Sequence, residues 1–276
     1  MTEITFENQF NNELNDAVPD LNKEYFITPN TKDTGITLEM KSILIYNVYP
    51  ALFNKLIITF DKTKLNKITT ERKWTVLMIA AKNSKLLQTN NLIKILVDHG
   101  CDINSQSNVG TSALVLASAY SNTTSMEDTV EILIKNKADI NLSSIEGLTA
   151  LSYSCISTNY ESTENTVEIL LKNGADPNTI HRNDFNKTLP LLLLTLANIN
   201  SGLSTKNTVK LLLKHGILYK DQSIFTKTYV CELQQTFIKI LQDELSERDN
   251  KIKELTQIKG IMSEQDIINS HVLKYI

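Results

Sequence analysis

One twelve-residue pattern recurs at a fixed interval, and this recurrence limits the fold more than any other feature of the chain. The segments IKILVDHGCDIN (from Ile93), VEILIKNKADIN (from Val130) and VEILLKNGADPN (from Val167) place Asp102, Asp139 and Asp176 at intervals of 37 residues. A fourth copy, VKLLLKHG from Val209, follows after a longer interval of 42 between Gly174 and Gly216. A second block keeps step with the first. GTSALVLA from Gly110 and GLTALSYS from Gly147 are again 37 apart, with KWTVLMIA from Lys73 before them and the weaker KTLPLLLL from Lys187 after. Leu77, Leu114, Leu151 and Leu191 hold the register. Such a unit cannot bury its own apolar face and must stack on copies of itself.

The residue types supply the local reasons. Val130, Ile132, Leu133 and Ile134 cover nearly one side of a short helix and are expected to be buried between units. Thr75, Ser112 and Thr149 stand where a side-chain oxygen can accept from the free N–H groups that open a helix. Gly100, Gly174 and Gly216 stand where the second helix ends and a left-handed residue is wanted, with Lys137 strained at that place in its unit. Asp102, Asp139 and Asp176 are suited to starting a turn by bonding the local backbone. Spacers rich in Asn and Ser (121–125, 157–162 and 198–204) separate the two helices of each unit, and helix-capping types such as those of Ser125 to Asp128 end them.

These two blocks resemble the ankyrin repeat, whose units read G-x-T-P-L-x-x-A, helix, turn, V-x-x-L-L-x-x-G-A-D-x-N. The resemblance covers residues 70–220, in units of about 73–106, 107–143, 144–180 and 184–220. It implies an all-α solenoid of helix-turn-helix units joined by β-turns and capped by helices at both ends. The family unit is 33 residues long, and the Asn- and Ser-rich surplus here is similar to the long-spacer ankyrin proteins of giant DNA viruses of amoebae. That narrower resemblance implies a viral protein acting in the host cytoplasm.

Shifting the pattern 37 residues upstream places Leu56, Ile58 and Phe60 on Ile93, Ile95 and Val97, and Met40 on Leu77. Thr63 then replaces the glycine and Leu65 the aspartate, so residues 37–69 read as a degenerate N-terminal capping repeat. Residues 1–36 are polar with a few apolar anchors and read as irregular. Beyond the last Gly of the array, residues 221–276 hold a Gly- and Pro-free stretch from Tyr229 to Lys259. There Ile238, Leu241, Leu245, Ile252 and Leu255 mark an apolar stripe that Arg248 interrupts. This is one long helix, or two with a break near Asp249-Asn250. It serves as a C-terminal cap or as a short dimerising coiled coil through 229–262.

Composition excludes several classes. A net charge of −3 gives no electrostatic hold on nucleic acid or an anionic membrane. No run approaches a membrane span, and the polar, acidic N-terminus carries no apolar signal core, so an intracellular protein is expected. Three widely spaced cysteines make no disulfide framework, and Cys155 falls on a packed helix position. His99 and His215 sit just before helix-ending glycines, where a partly cationic ring suits the helix dipole. No metal-ligand spacing, phosphate loop or nucleophile motif occurs, so no enzyme, cofactor or metal is expected.

What remains is recognition of another protein. In the family, partners contact the turn tips and the exposed side of the first helices. Carried over by position, the candidate tip residues are Glu71, Arg72 and Trp74, then Asn108, Val109 and Thr111, then Ile145, Glu146 and Leu148, then Phe185, Asn186 and Thr188. On the first helices they are Lys82, Asn83, Ala119, Tyr120, Ile156 and Ser157. The stripe is apolar for a solvated surface. It is expected either to receive a partner or to be covered by the chain's own flanks.

Overall fold

The computed structural model of the chain describes residues 43, 57, 62–66, 72–87, 90–182, 188–217 and 231–259, in two units, residues 1–218 and 219–276. The first unit begins with α1 (Lys62–Leu65). Three pairs of a seven-residue first helix and a nine-residue second helix follow: α2 (Val76–Lys82) with α4 (Asn90–Asp98), α5 (Ala113–Ala119) with α6 (Glu127–Lys135), and α7 (Ala150–Ile156) with α8 (Glu164–Lys172). A four-residue helix, α3 (Ser84–Leu87), lies inside the first pair. A longer pair, α9 (Leu191–Asn200) and α10 (Lys206–Lys214), ends the array. First helices pack on first helices and second on second, giving a two-layer stack.

The register residues Leu77, Leu114, Leu151 and Leu191 lie in the core, as do Ile93, Val130, Val167 and Val209 on the second helices. Burial of α6 is narrower than its composition suggests. Val130 and Leu133 are fully buried, but Ile132 and Ile134 are only half-buried, because the second layer packs through one stripe and leaves its outer side to water.

Helix starts and stops follow the residue types. The hydroxyls of Thr75, Ser112 and Thr149 accept from the backbone N–H three residues on. At the other end, Gly100 N–H donates to Val97 O and Cys101 N–H to Leu96 O, and the same two bonds recur at Lys137/Ala138, Gly174/Ala175 and Gly216/Ile217. This double closure requires a left-handed residue, and φ is 94° at Gly100 and 70° at Lys137. Replacing Lys137 with glycine is therefore expected to stabilise the chain by up to about 1 kcal/mol in a urea melt, a left-handed side chain costing ~1–2 and glycine's extra freedom offsetting part. Met126, not Ser125, precedes α6 and makes no side-chain cap, because the Ser125 hydroxyl is turned inward to Ala81 O at 2.8 Å. Thr163 and Thr205 do cap their helices.

The turns are joined from unit to unit. Asp102, Asp139 and Asp176 each accept from the N–H two residues on. Asn66, Asn104 and Asn141 accept from the N–H of the next unit's aspartate at 2.8–2.9 Å. Asn66 thus makes the bond that Asn104 makes, 38 residues upstream rather than the 37 that separate the regular copies. Residues 62–65 there are helical instead of forming the glycine-aspartate turn. At the tips, Asn108 N–H donates to Arg72 O and Ile145 N–H to Val109 O. The last tip departs from this form: β1 (Ile180–Arg182) pairs antiparallel with β2 (Thr188–Pro190), and Pro190 precedes α9 without a side-chain cap.

The spacers are built elements, not slack connections. Ser84, Ser121 and Thr158 meet Ser125, Ser162 and Ser204 of the following unit at 3.1–3.2 Å, all buried. Thr129, Thr166 and Thr208 complete each trio at 2.7–3.0 Å. Beside them, backbone N–H groups of Lys85, Asn122 and Asn159 donate to Thr124, Glu161 and Leu203 carbonyls. The Glu127 carboxylate accepts from Thr163 and Asn165, and that of Glu164 from Thr205 and Asn207.

The second unit holds one 29-residue helix, α11 (Cys231–Lys259), continuous through Asp249-Asn250. No helix among the described residues is long and apolar enough to cross a membrane.

Candidate functional site

The tips and first helices of three successive units line a groove with a volume of about 530 Å³. Arg72 and Trp74 come from the first tip, and Asn108, Val109 and Thr111 from the second. Val115, Leu116, Ala119 and Tyr120 on and after α5, and Tyr153, Ile156 and Ser157 on and after α7, complete the floor, with Glu161 in the following spacer. The tips stand in line because each is bonded to the last through its backbone, and because glycine at 110 and 147 or Lys73 takes the left-handed turn (φ 80°, 80° and 53°).

Of the residues expected to make contacts, nine line this groove: Arg72, Trp74, Asn108, Val109, Thr111, Ala119, Tyr120, Ile156 and Ser157. Val109 is exposed, whereas Tyr120 and Ile156 are half-buried. The candidates differ widely in exposure and in what their side chains touch. Trp74 is only 5% exposed, since the Arg72 guanidinium lies 5.5 Å and the Lys82 ammonium 5.4 Å from its ring centroid. Lys82 is itself buried, with its ammonium also 4.7 Å from the Tyr120 ring. Asn83 is fully buried and spends its amide on Ile79 O, ending α2 rather than facing a partner. Thr111 is buried at the base of its tip, where its N–H donates to the Ser107 hydroxyl. Ile145 and Glu146 are exposed on the next tip and Leu148 is half-buried, outside the groove wall. Thr188 lies in β2 opposite Arg182. Glu71, Phe185 and Asn186 lie outside the described residues.

Tyr153 and Glu161 were not anticipated. Tyr153 stands inside a block that reads as helix core, and Glu161 inside a spacer that reads as loop; only the folded stack brings both to one wall. Burial, with Glu161 adding to it at Tyr120 and Glu146 at Tyr153, pushes both phenols up, so both stay neutral. Lys82 is pulled down, first by burial and then by Arg72, with Glu161 opposing.

The other titratable groups serve structure. His99 and His215 bond through Nδ1 to the carbonyl four residues back, and Asn136 and Asn173 do the same through their amides. The position therefore asks for a donor; charge is secondary. His181 is buried in β1 against the Gly147 backbone, and burial pulls its imidazole down. Burial pushes the Cys101 thiol up to about 12, and raises that of Cys155, which is fully buried, as well. Neither is expected to react with iodoacetamide at pH 8 until the chain unfolds, so a native thiol count by mass spectrometry should show at most one alkylated cysteine of three.

The family model described as Ankyrin repeats (3 copies) matches residues 42–143 and again 87–181, half of the chain. The chain belongs to the ankyrin repeat family. The match begins at residue 42 and ends at residue 181, within β1, where a β pairing replaces the usual tip. No curated protein matches this ankyrin chain. Ankyrin repeats commonly mediate protein–protein interaction.

Proposed function

We propose that this ankyrin chain is a non-enzymatic docking scaffold that holds a protein partner along the groove between its turn tips and first helices. The observation that carries the reading is the groove itself: three units contribute to one concavity with an apolar floor and aromatic walls, the kind of lining that anchors interfaces. The long spacers favour a viral scaffold that engages a host protein in the cytoplasm. The test is a capture experiment from host lysate with the native chain, with Ile156→Asp plus Val109→Asp, and with Lys94→Asp on α4 as a surface control, each first checked for an unchanged melt. The double variant is expected to lose the specific set of bound proteins and the control to keep it. An identical set for all three would sink the reading.

A second reading has support in α11. Ile238 and Leu245, seven residues apart, are 45% and 56% exposed, as a helical seam awaiting a second factor or a second copy would be. Sedimentation equilibrium at micromolar concentration separates the outcomes. A dimer would favour self-pairing through 229–262, and a monomer would remove it.

A further inference from the structure

Among the described residues, two cations stand against the Trp74 and Tyr120 rings at one end of the groove. Lys82, on the last turn of α2, is only 6% exposed, its ammonium held between the rings of Trp74 and Tyr120. Arg72 stands beside it over Trp74. Among the described residues neither cation makes an ion pair. Aromatic faces attract a cation but do not cancel its charge. Among the described residues Glu161 is the acid that acts on Lys82, and its influence is weaker than that of Arg72. Among the described residues two cations therefore face one carboxylate, and a largely buried ammonium without a counter-ion is costly until an anion arrives.

We propose that Lys82, held between Trp74 and Tyr120 with Arg72 beside it, anchors a single carboxylate on an extended partner segment whose neighbouring apolar side chains fill the floor at Leu116, Ala119 and Ile156. A monoanion matches the one uncompensated charge, whereas a nucleic acid would need a row of cations that a chain of net charge −3 does not place here. The fit requires an apolar-acidic-apolar segment, because the groove floor next to Trp74 and Tyr120, the two rings that hold the ammonium, is apolar.

The proposal rests on the groove being the docking surface, and the experiment separates the two. The full-length chain is titrated with two pools of labelled octapeptides, acetylated and amidated, randomised among Leu, Ile, Phe and Ala, with Glu fixed at the centre of one and Gln in the other. Anisotropy is expected to show the Glu pool binding about tenfold tighter, as one charge-assisted contact allows. Trp74, the only tryptophan, should change its emission as the pool binds. Lys82→Met keeps the stem between the rings and removes the charge; it should melt no lower than the native chain and bring the two pools within about twofold. Lys82→Arg should retain the preference. Equal binding of both pools, binding of neither, or a Glu preference that survives in Lys82→Met would overturn the proposal. So would displacement of the Glu pool by a synthetic peptide of residues 1–36, which would make the occupant the chain's own flank, or a native dimer that disperses in Lys82→Met. Equal binding that Ile156→Asp abolishes leaves the docking reading standing without the carboxylate. Binding that Ile156→Asp does not change removes both.

Discussion

Leu151→Ala is expected to lower stability by about 2–5 kcal/mol in a urea melt monitored by circular dichroism. Leu151 is fully buried in α7, and α7 packs between α5 on one side and α9 on the other. A cavity there weakens two interfaces at once. In a linear stack each unit is supported only by its neighbours, so loss at the middle reaches both ends. Amide exchange should accelerate in α5 and α9 as well as in α7, whereas a compact single-core protein would confine most of the change to the local site. A loss below about 1 kcal/mol would mean that α7 relaxes into the gap and that the stack is not organised around this register position.

The second large effect is expected at a turn tip, where Gly147 can be compared with Gly174, a helix-ending glycine of similar φ. Gly147 has φ 80°, and a Cβ there would lie 2.7 Å from Ile180 O in β1, part of the last tip. Gly174 has φ 93°, with nothing within 4 Å of such an atom. Gly174→Ala therefore bears only the left-handed strain, about 1–2 kcal/mol. Gly147→Ala bears the same strain plus a contact with rigid backbone that must shift, and should cost about 3 kcal/mol. Equal losses would indicate that the tip of the third unit is not seated against the next one.

The parts of the fold that were legible in the sequence are those that depend on local chemistry repeated in phase. The capping oxygens at 75, 112 and 149, the left-handed position at 100, 137, 174 and 216, and the leucines of the first helices all follow from residue type and spacing alone. The worn first repeat was harder to register because it lacks both glycine and aspartate. What survives in it is the bridging amide of Asn66, which gives no sign of its register until Asp102 is seen to donate to it. The spacers were read as loops because Ser, Thr and Asn are what loops contain. Their periodicity (Ser84, Ser121 and Thr158 at 37-residue steps) acquires meaning only when the hydroxyls are found paired across units.

The groove was half legible for a similar reason. Position in the repeat indicates which side chains lie near the concave surface, and Arg72, Val109, Tyr120 and Ile156 are found there. It does not indicate what covers them. Trp74 lies under two cations, and Lys82 is drawn inward by two rings, because these four side chains from two successive units close on one another. Side chains of this size settle their exposure through long-range packing, which no single repeat encodes.

The most direct test of the central claim, that this groove receives a protein, is site-specific photo-crosslinking. p-Benzoylphenylalanine is introduced at Ile156 in the groove, at Val109 on its tip, or at Lys94 on the exposed side of α4. Each folded chain is then irradiated in host lysate. Intermolecular adducts of one defined mass are expected from the first two positions and none from the third. Adducts from Lys94 alone, equal labelling from all three, or bonds formed only within the chain would contradict the account.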